Sequence, residues 1–135
     1  MPKNTSGKII KPYGAQISKH ELAAAKTLIA TTSESITFLP PRPTKTPDII
    51  FMNKEWEIKT PLSKSSRTIE DCLRRGATQS PNLIIDIRFT KISELQCLRC
   101  IQRQINRVAA IKNVLVIAKA NRVIDKFCNF EIMKE

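Results

Sequence analysis

The chain has 135 residues, 41% of them hydrophobic, which suits one domain with a buried core of its own. Its 23 Lys and Arg against 12 Asp and Glu leave a net charge of +11, a balance that favours a polyanionic partner. No run reaches the roughly 18 apolar residues of a membrane span, and residues 1–16 lack the apolar stretch of a signal peptide, so a membrane-spanning class is excluded.

Residues 1–16 carry Lys3, Lys8 and Lys11 with no acid and are broken by Pro2, Gly7, Pro12 and Gly14. That composition predicts a flexible basic lead-in to a single domain over 17–135. Ser18 opens a helix to about residue 31, because Glu21 three positions on completes a capping box ahead of Leu22, Ala24, Ala25 and Leu28. His20, the single histidine, has the ordinary reading of a structural or solvated helix-end residue. A short strand over 36–39 is stopped by Pro40, and the stiff loop that follows carries Arg42 and Lys45 up to Pro47.

Residues 47–59 read as two short strands with a tight turn at Asn53-Lys54. Side chains repeat every two residues along a strand, so Glu55, Glu57 and Lys59 share one face while Trp56 and Ile58 take the other. A turn at Asn53-Lys54 pairs Ile50 with Glu57 and Asp48 with Lys59, which brings Asp48, Glu57 and Lys59 together at spacings of roughly 5 Å. Two carboxylates that close repel unless a hard divalent cation, Mg2+ first among them, lies between them. A lysine beside them suits charge developing on a phosphate. The competing reading is a solvated hairpin face whose charges match this pattern by chance.

After Thr60-Pro61 a polar, basic loop carries Lys64 and Arg67. Thr68 is then expected to cap a helix with Glu70 and Asp71 in its first turn, Arg74 and Arg75 near its end, and Ile69, Cys72, Leu73 and Gly76 inward. Residues 83–89 form an apolar run typical of a strand buried on both faces, with Asp86 expected to pair with a neighbour such as Arg88. Ser93 starts the longest helix, to about residue 110, with Leu95, Leu98, Ile101, Ile105 and Val108 inward. Arg99, Arg103 and Arg107 recur every four residues as one basic stripe, either solvated or in contact with nucleic acid. A buried strand over 114–118 and a closing strand or hairpin within 121–135 complete the chain. Of the four cysteines, Cys97 and Cys100 have metal-like spacing but sit in a helix with no second such pair, so Cys72, Cys97, Cys100 and Cys128 are assigned no metal.

The order helix, three-strand meander, helix, strand, helix, strand is an α/β arrangement with a central mixed sheet flanked by helices. The residues Pro47-Asp48, eight intervening positions and Glu57-Ile58-Lys59 resemble the PD-(D/E)xK nuclease signature, and the element order is similar to that superfamily's αβββαβ core. This resemblance implies Asp48, Glu57 and Lys59 as catalytic residues, with Glu21 as a further carboxylate for the metal held by Asp48 and Glu57. Four phrases are similar to the C-terminal toxin domains of contact-dependent growth inhibition effectors with tRNA nuclease activity. They are Lys11-Pro12-Tyr13-Gly14-Ala15-Gln16-Ile17-Ser18-Lys19-His20-Glu21, Trp56-Glu57-Ile58-Lys59-Thr60-Pro61, Arg67-Thr68-Ile69-Glu70 and Gln79-Ser80-Pro81-Asn82-Leu83-Ile84-Ile85-Asp86-Ile87-Arg88. The likeness implies a tRNA substrate, delivery from the cell surface into the cytoplasm of a competing bacterium, and an acidic cognate immunity protein. Substrate phosphates would meet Arg42, Lys45, Lys64, Arg67, Arg99, Arg103 and Arg107. Three other readings stand beside it: a DNA-cleaving relative, a basic RNA-binding module without catalysis, and a structural domain.

Overall fold

The computed structural model describes residues 7–40 and 47–125. Within them a seven-stranded mixed sheet runs in sequence order: β1 (Ile9–Ile10), β2 (Ile36–Phe38), β3 (Ile49–Phe51), β4 (Lys54–Lys59), β5 (Asn82–Asp86), β6 (Asn113–Ala118) and β7 (Arg122–Ile124). Helix α1 (Lys19–Thr32) joins β1 to β2, α2 (Ser66–Ala77) joins β4 to β5 and α3 (Glu94–Arg107) joins β5 to β6. β4, β5 and β6 are parallel, whereas β2, β3 and β4 form an antiparallel meander and β7 returns antiparallel to β6.

Alternation along the central strands sends side chains to two separate cores. Leu83, Ile85, Val114 and Val116 face α2 and α3, where Ile69, Leu73, Cys97, Ile101 and Ile105 meet them. Ile84, Leu115 and Ile117 face the other way, onto Ala24, Ala25 and Leu28 of α1 and onto Phe38, Phe51, Trp56 and Ile58. The sheet is therefore covered on both faces, which is why β5 and β6 read as unbroken apolar runs.

Several local expectations are corrected. The β3–β4 turn falls at Met52 and Asn53, both with positive φ (52° and 65°), so Ile50 pairs with Glu55 and Ile49 with Trp56. A two-residue hairpin whose central residues are both left-handed matches the twist of its strands, and this moves the turn one residue back from Asn53-Lys54. Ile9 and Ile10, inside the stretch read as a flexible lead-in, form an edge strand parallel to β2, tied at Lys8 N–H by the Ser35 hydroxyl (3.0 Å). Helix α2 begins a turn before Thr68, with the Ser65 hydroxyl accepting the Arg67 N–H (3.2 Å), so Glu70 and Asp71 lie beyond its first turn.

Helix α3 starts after Ser93 as expected and turns Leu98, Ile101, Ile105 and Val108 to the core as expected, but Leu95 lies off that face and Cys97, Cys100 and Gln104 complete it. Cys97, Cys100, Ile101, Gln104 and Ile105 are buried, while Leu95 is 59% exposed. Helix α1 matches its expected cap, with Ser18 and Glu21 exchanging both hydrogen bonds of the capping box. The strand expected over 83–89 ends at Asp86, and β7 supplies the closing strand expected after residue 121.

Candidate functional site

The hairpin carries the site. With Ile49 opposite Trp56, the next position outward sets Asp48 beside Glu57, on the face opposite Trp56 and Ile58. Asp48 lies just before β3, where its N–H donates to the Trp56 carbonyl (2.9 Å) and its carbonyl accepts from Leu39 (2.9 Å). Its carboxylate Oδ2 accepts the Ile58 N–H at 2.9 Å, which holds the side chain against β4. Lys59 Nζ approaches Glu57 Oε2 at 3.2 Å. Glu57 is 3% exposed, and its second oxygen, Oε1, is buried without a hydrogen-bond partner among the described residues. A buried acceptor left open in this way costs about 1–3 kcal/mol unless something meets it.

Electrostatics follow from that burial. Burial pushes the Glu57 carboxyl up to about 8, and the Asp48 charge adds to the rise against the pull of Lys59. Asp48 is also raised by burial, opposed by the Ile58 N–H, the Glu57 carboxyl and Lys59. At neutral pH the pair therefore carries a shared proton, with Glu57 its better holder. The Lys59 stem passes Gly76 of α2, where an added Cβ would sit 3.6 Å from Lys59 Cγ, an ordinary contact, but 2.9 Å from Leu83 Cδ2, so the glycine serves the packing of α2 on β5.

Glu21 belongs to the same neighbourhood. With Asp48, Phe38 and Pro47 it lines a cavity of about 140 Å³ between the start of α1 and the ends of β2 and β3, which Glu57 and Lys59 do not line. Its carboxyl is raised by burial and by Asp48, and lowered by the Ser18 backbone and Lys59. Oε1 of Glu21 accepts the Ser18 N–H at 3.1 Å, so in this structure the residue caps its helix. Among the described residues no three His, Cys, Asp or Glu side chains are grouped closely enough to hold a metal ion together. The donor set at hand is the Asp48–Glu57 pair. Once the shared proton leaves, the two carboxyls repel and Oε1 of Glu57 is an open acceptor, which fits a hard divalent cation.

The remaining predicted contacts are dispersed. Lys64 and Arg67 are exposed in the β4–α2 connection and the first turn of α2. Arg99, Arg103 and Arg107 are exposed on α3, with Arg103 Nη2 3.4 Å from Cys100 Sγ. Arg42 and Lys45 lie outside the described residues, as does Cys128. Cys97 and Cys100 are core residues, and burial raises the Cys97 and Cys72 thiols, so neither is activated as a thiolate.

The family of the contact-dependent growth inhibition CdiA C-terminal domain matches residues 45–123, more than half of the chain and the whole of the hairpin that carries Asp48, Glu57 and Lys59. The chain belongs to this family. A chain of the CdiA-CT/CdiI toxin and immunity complex from Burkholderia pseudomallei is similar to this CdiA C-terminal domain in fold, with a TM-score of 0.63. The likeness covers 88% of this chain and 98% of that one at 20% identity. No curated protein matches. Among the described residues of this CdiA C-terminal domain, no helix is long and apolar enough to cross a membrane.

Sequence reasoning missed one side-chain cluster. Buried Asp86 holds Arg88 through Nε and Nη2 (2.9 and 2.8 Å), as expected, but Arg88 Nη1 also donates to Thr27 Oγ1 of α1 (2.6 Å) and Asn121 Oδ1 (2.8 Å). His20 packs on Phe89 with ring centroids 5.0 Å apart. Nothing local in the sequence marks these contacts, because each joins elements that meet only through the sheet.

Proposed function

We propose that this domain is a metal-dependent endoribonuclease of PD-(D/E)xK type that cuts tRNA in competing bacteria and is neutralised by an acidic cognate immunity protein. The observation that carries the reading is the buried Asp48–Glu57 carboxyl pair with Lys59 Nζ 3.2 Å from Glu57. The order α1, β2, β3, β4, α2, β5 supports it, since it repeats the αβββαβ order of that superfamily. The similar Burkholderia chain comes from a toxin and immunity complex, and that supports the partner. The net charge of +11 suits both a polyanionic substrate and an acidic inhibitor.

Asp48 and Glu57 would hold the divalent ion, most readily Mg2+, and Glu21 would join them if it gave up its cap. The bound ion supplies charge neutralisation at the phosphate and a more acidic water. Asp48 is oriented for this role by the Ile58 N–H, and burial keeps water from competing for Glu57. Lys59 presents its ammonium beside the pair, where it can donate to a phosphate oxygen as negative charge develops there. Exposed Lys64 and Arg67, the α3 arginines, and Arg42 and Lys45 supply phosphate contacts.

Purified protein incubated with total RNA and with duplex DNA, with Mg2+ or with EDTA, tests the reading. Mapped ends confined to tRNA and dependent on Mg2+ are expected. Cutting of duplex DNA alone would move the domain to the DNA-cleaving reading, and binding of RNA with no cleavage under any divalent ion would make it a binding module.

A further inference from the structure

We propose that Phe89 and His20 form a stacking platform for an unpaired base next to the phosphate that is cut. The proposal rests on the nuclease reading for the identity of the ligand and adds a residue pair that reads the substrate by a different force. Single exposed apolar side chains need no explanation in general. Phe89 differs because it is 43% exposed and yet held on two sides. The His20 ring lies 5.0 Å away at a tilt of 58°, and the Arg88 guanidinium carbon lies 5.3 Å from the ring centroid. Arg88 is locked in turn, because its nitrogens are engaged by Asp86, Thr27 and Asn121. A ring fixed this way loses little freedom when a flat ligand covers its exposed part, and the neighbouring cation strengthens stacking on it.

Position ties the platform to the site. β4 and β5 are parallel with Lys59 paired to Ile85, so the chain leaving β5 toward Phe89 emerges at the sheet end where Lys59 ends β4. His20 comes from the first turn of α1, directly before Glu21, which shares its cavity with Asp48. Both elements therefore come to the end of the sheet that carries Lys59 and Asp48, and the base proposed for the ring belongs to a nucleotide beside the phosphate held there. Every base has a π-face, so the platform would accept any base and would favour a substrate with an unpaired nucleotide beside the cut.

The test uses short single-stranded RNAs carrying 2-aminopurine at successive positions, bound in EDTA so that nothing is cleaved. Wild-type protein is expected to quench the fluorophore at one position. Phe89→Ala should abolish that quench and weaken binding about tenfold, and His20→Ala should weaken it less, while Phe89→Trp keeps both. Unchanged melting temperatures exclude misfolding, and the Trp variant answers the question if the Ala variant does not fold. Equal quench and affinity in Phe89→Ala, or no quench at any position in the wild type, would overturn the platform. So would a variant that keeps RNA binding but loses an acidic protein partner, since Phe89 would then belong to a protein interface. Quenching by wild type that cuts no RNA with Mg2+ would leave the platform standing and remove the nuclease reading. Cleavage with an unchanged KM in Phe89→Ala would do the reverse.

Discussion

Replacing Glu57 with glutamine should change the way stability depends on pH in the metal-free protein. The Glu57 carboxyl is raised from 4.5 to about 8 and is 3% exposed, so solvent does little to screen the effect. A raised folded-state value means that the native protein binds a proton the unfolded chain has released. The stabilisation is therefore complete below about pH 4.5 and is lost as pH climbs toward 8. At about 1.4 kcal/mol per pH unit the loss has a ceiling of about 5 kcal/mol, a large part of the 5–15 kcal/mol typical of a whole domain. Asp48 and Glu21, also raised, add to the same downward slope. Glutamine keeps the shape and has no proton to lose. Urea unfolding in EDTA at pH 5, 6, 7, 8 and 9 should show wild type weakening steadily across this window and Glu57→Gln declining much less, by what Asp48 and Glu21 contribute, with the variant the more stable of the two at pH 9. Mg2+ should restore wild type at pH 8 to 9 and leave Glu57→Gln unmoved. Parallel curves for the two proteins would refute the buried, proton-sharing pair.

Other consequences are sharper in activity. Asp48→Ala should remove RNA cleavage with no more than about 1 kcal/mol lost from the fold, the worth of the Ile58 N–H contact, as thermal melting would show. Lys59→Ala should lower kcat by about 10²–10³ with KM little changed, and an unaltered kcat would make it a mere partner of Glu57. Arg88→Ala leaves Asp86 buried and unpaired, so melting should report a loss of about 3–5 kcal/mol that Asp86→Asn combined with Arg88→Ala partly recovers. Arg99→Glu with Arg103→Glu should weaken RNA binding and flatten its salt dependence while the cut position stays where it was, and an unchanged salt slope would make the stripe solvated surface.

Local chemistry determined much of this protein before any tertiary contact was known. The capping box of Ser18 and Glu21 set the start of α1, and period-two alternation put Glu57 and Lys59 on the strand face opposite Trp56 and Ile58. The apolar run after Pro81 could only be a strand covered on both sides, and Asp86 within it needed Arg88. These signals are short in range, so a one-dimensional reading captures them. The turn of the hairpin was decided elsewhere, because Met52 and Asn53 adopt the left-handed region only to satisfy the twist of the paired strands. The inward face of α3 followed Cys97, Cys100 and Gln104 rather than Leu95, since a free cysteine packs as a small hydrophobe and the bundle with α2 chose which side of the helix to bury. Ile9 and Ile10 became a strand only because the backbone of β2 was there to pair with them. The same holds for Arg88 against Thr27 and for Phe89 against His20. Those contacts arise from α1 lying across one face of the mixed sheet, and no spacing along the chain encodes them.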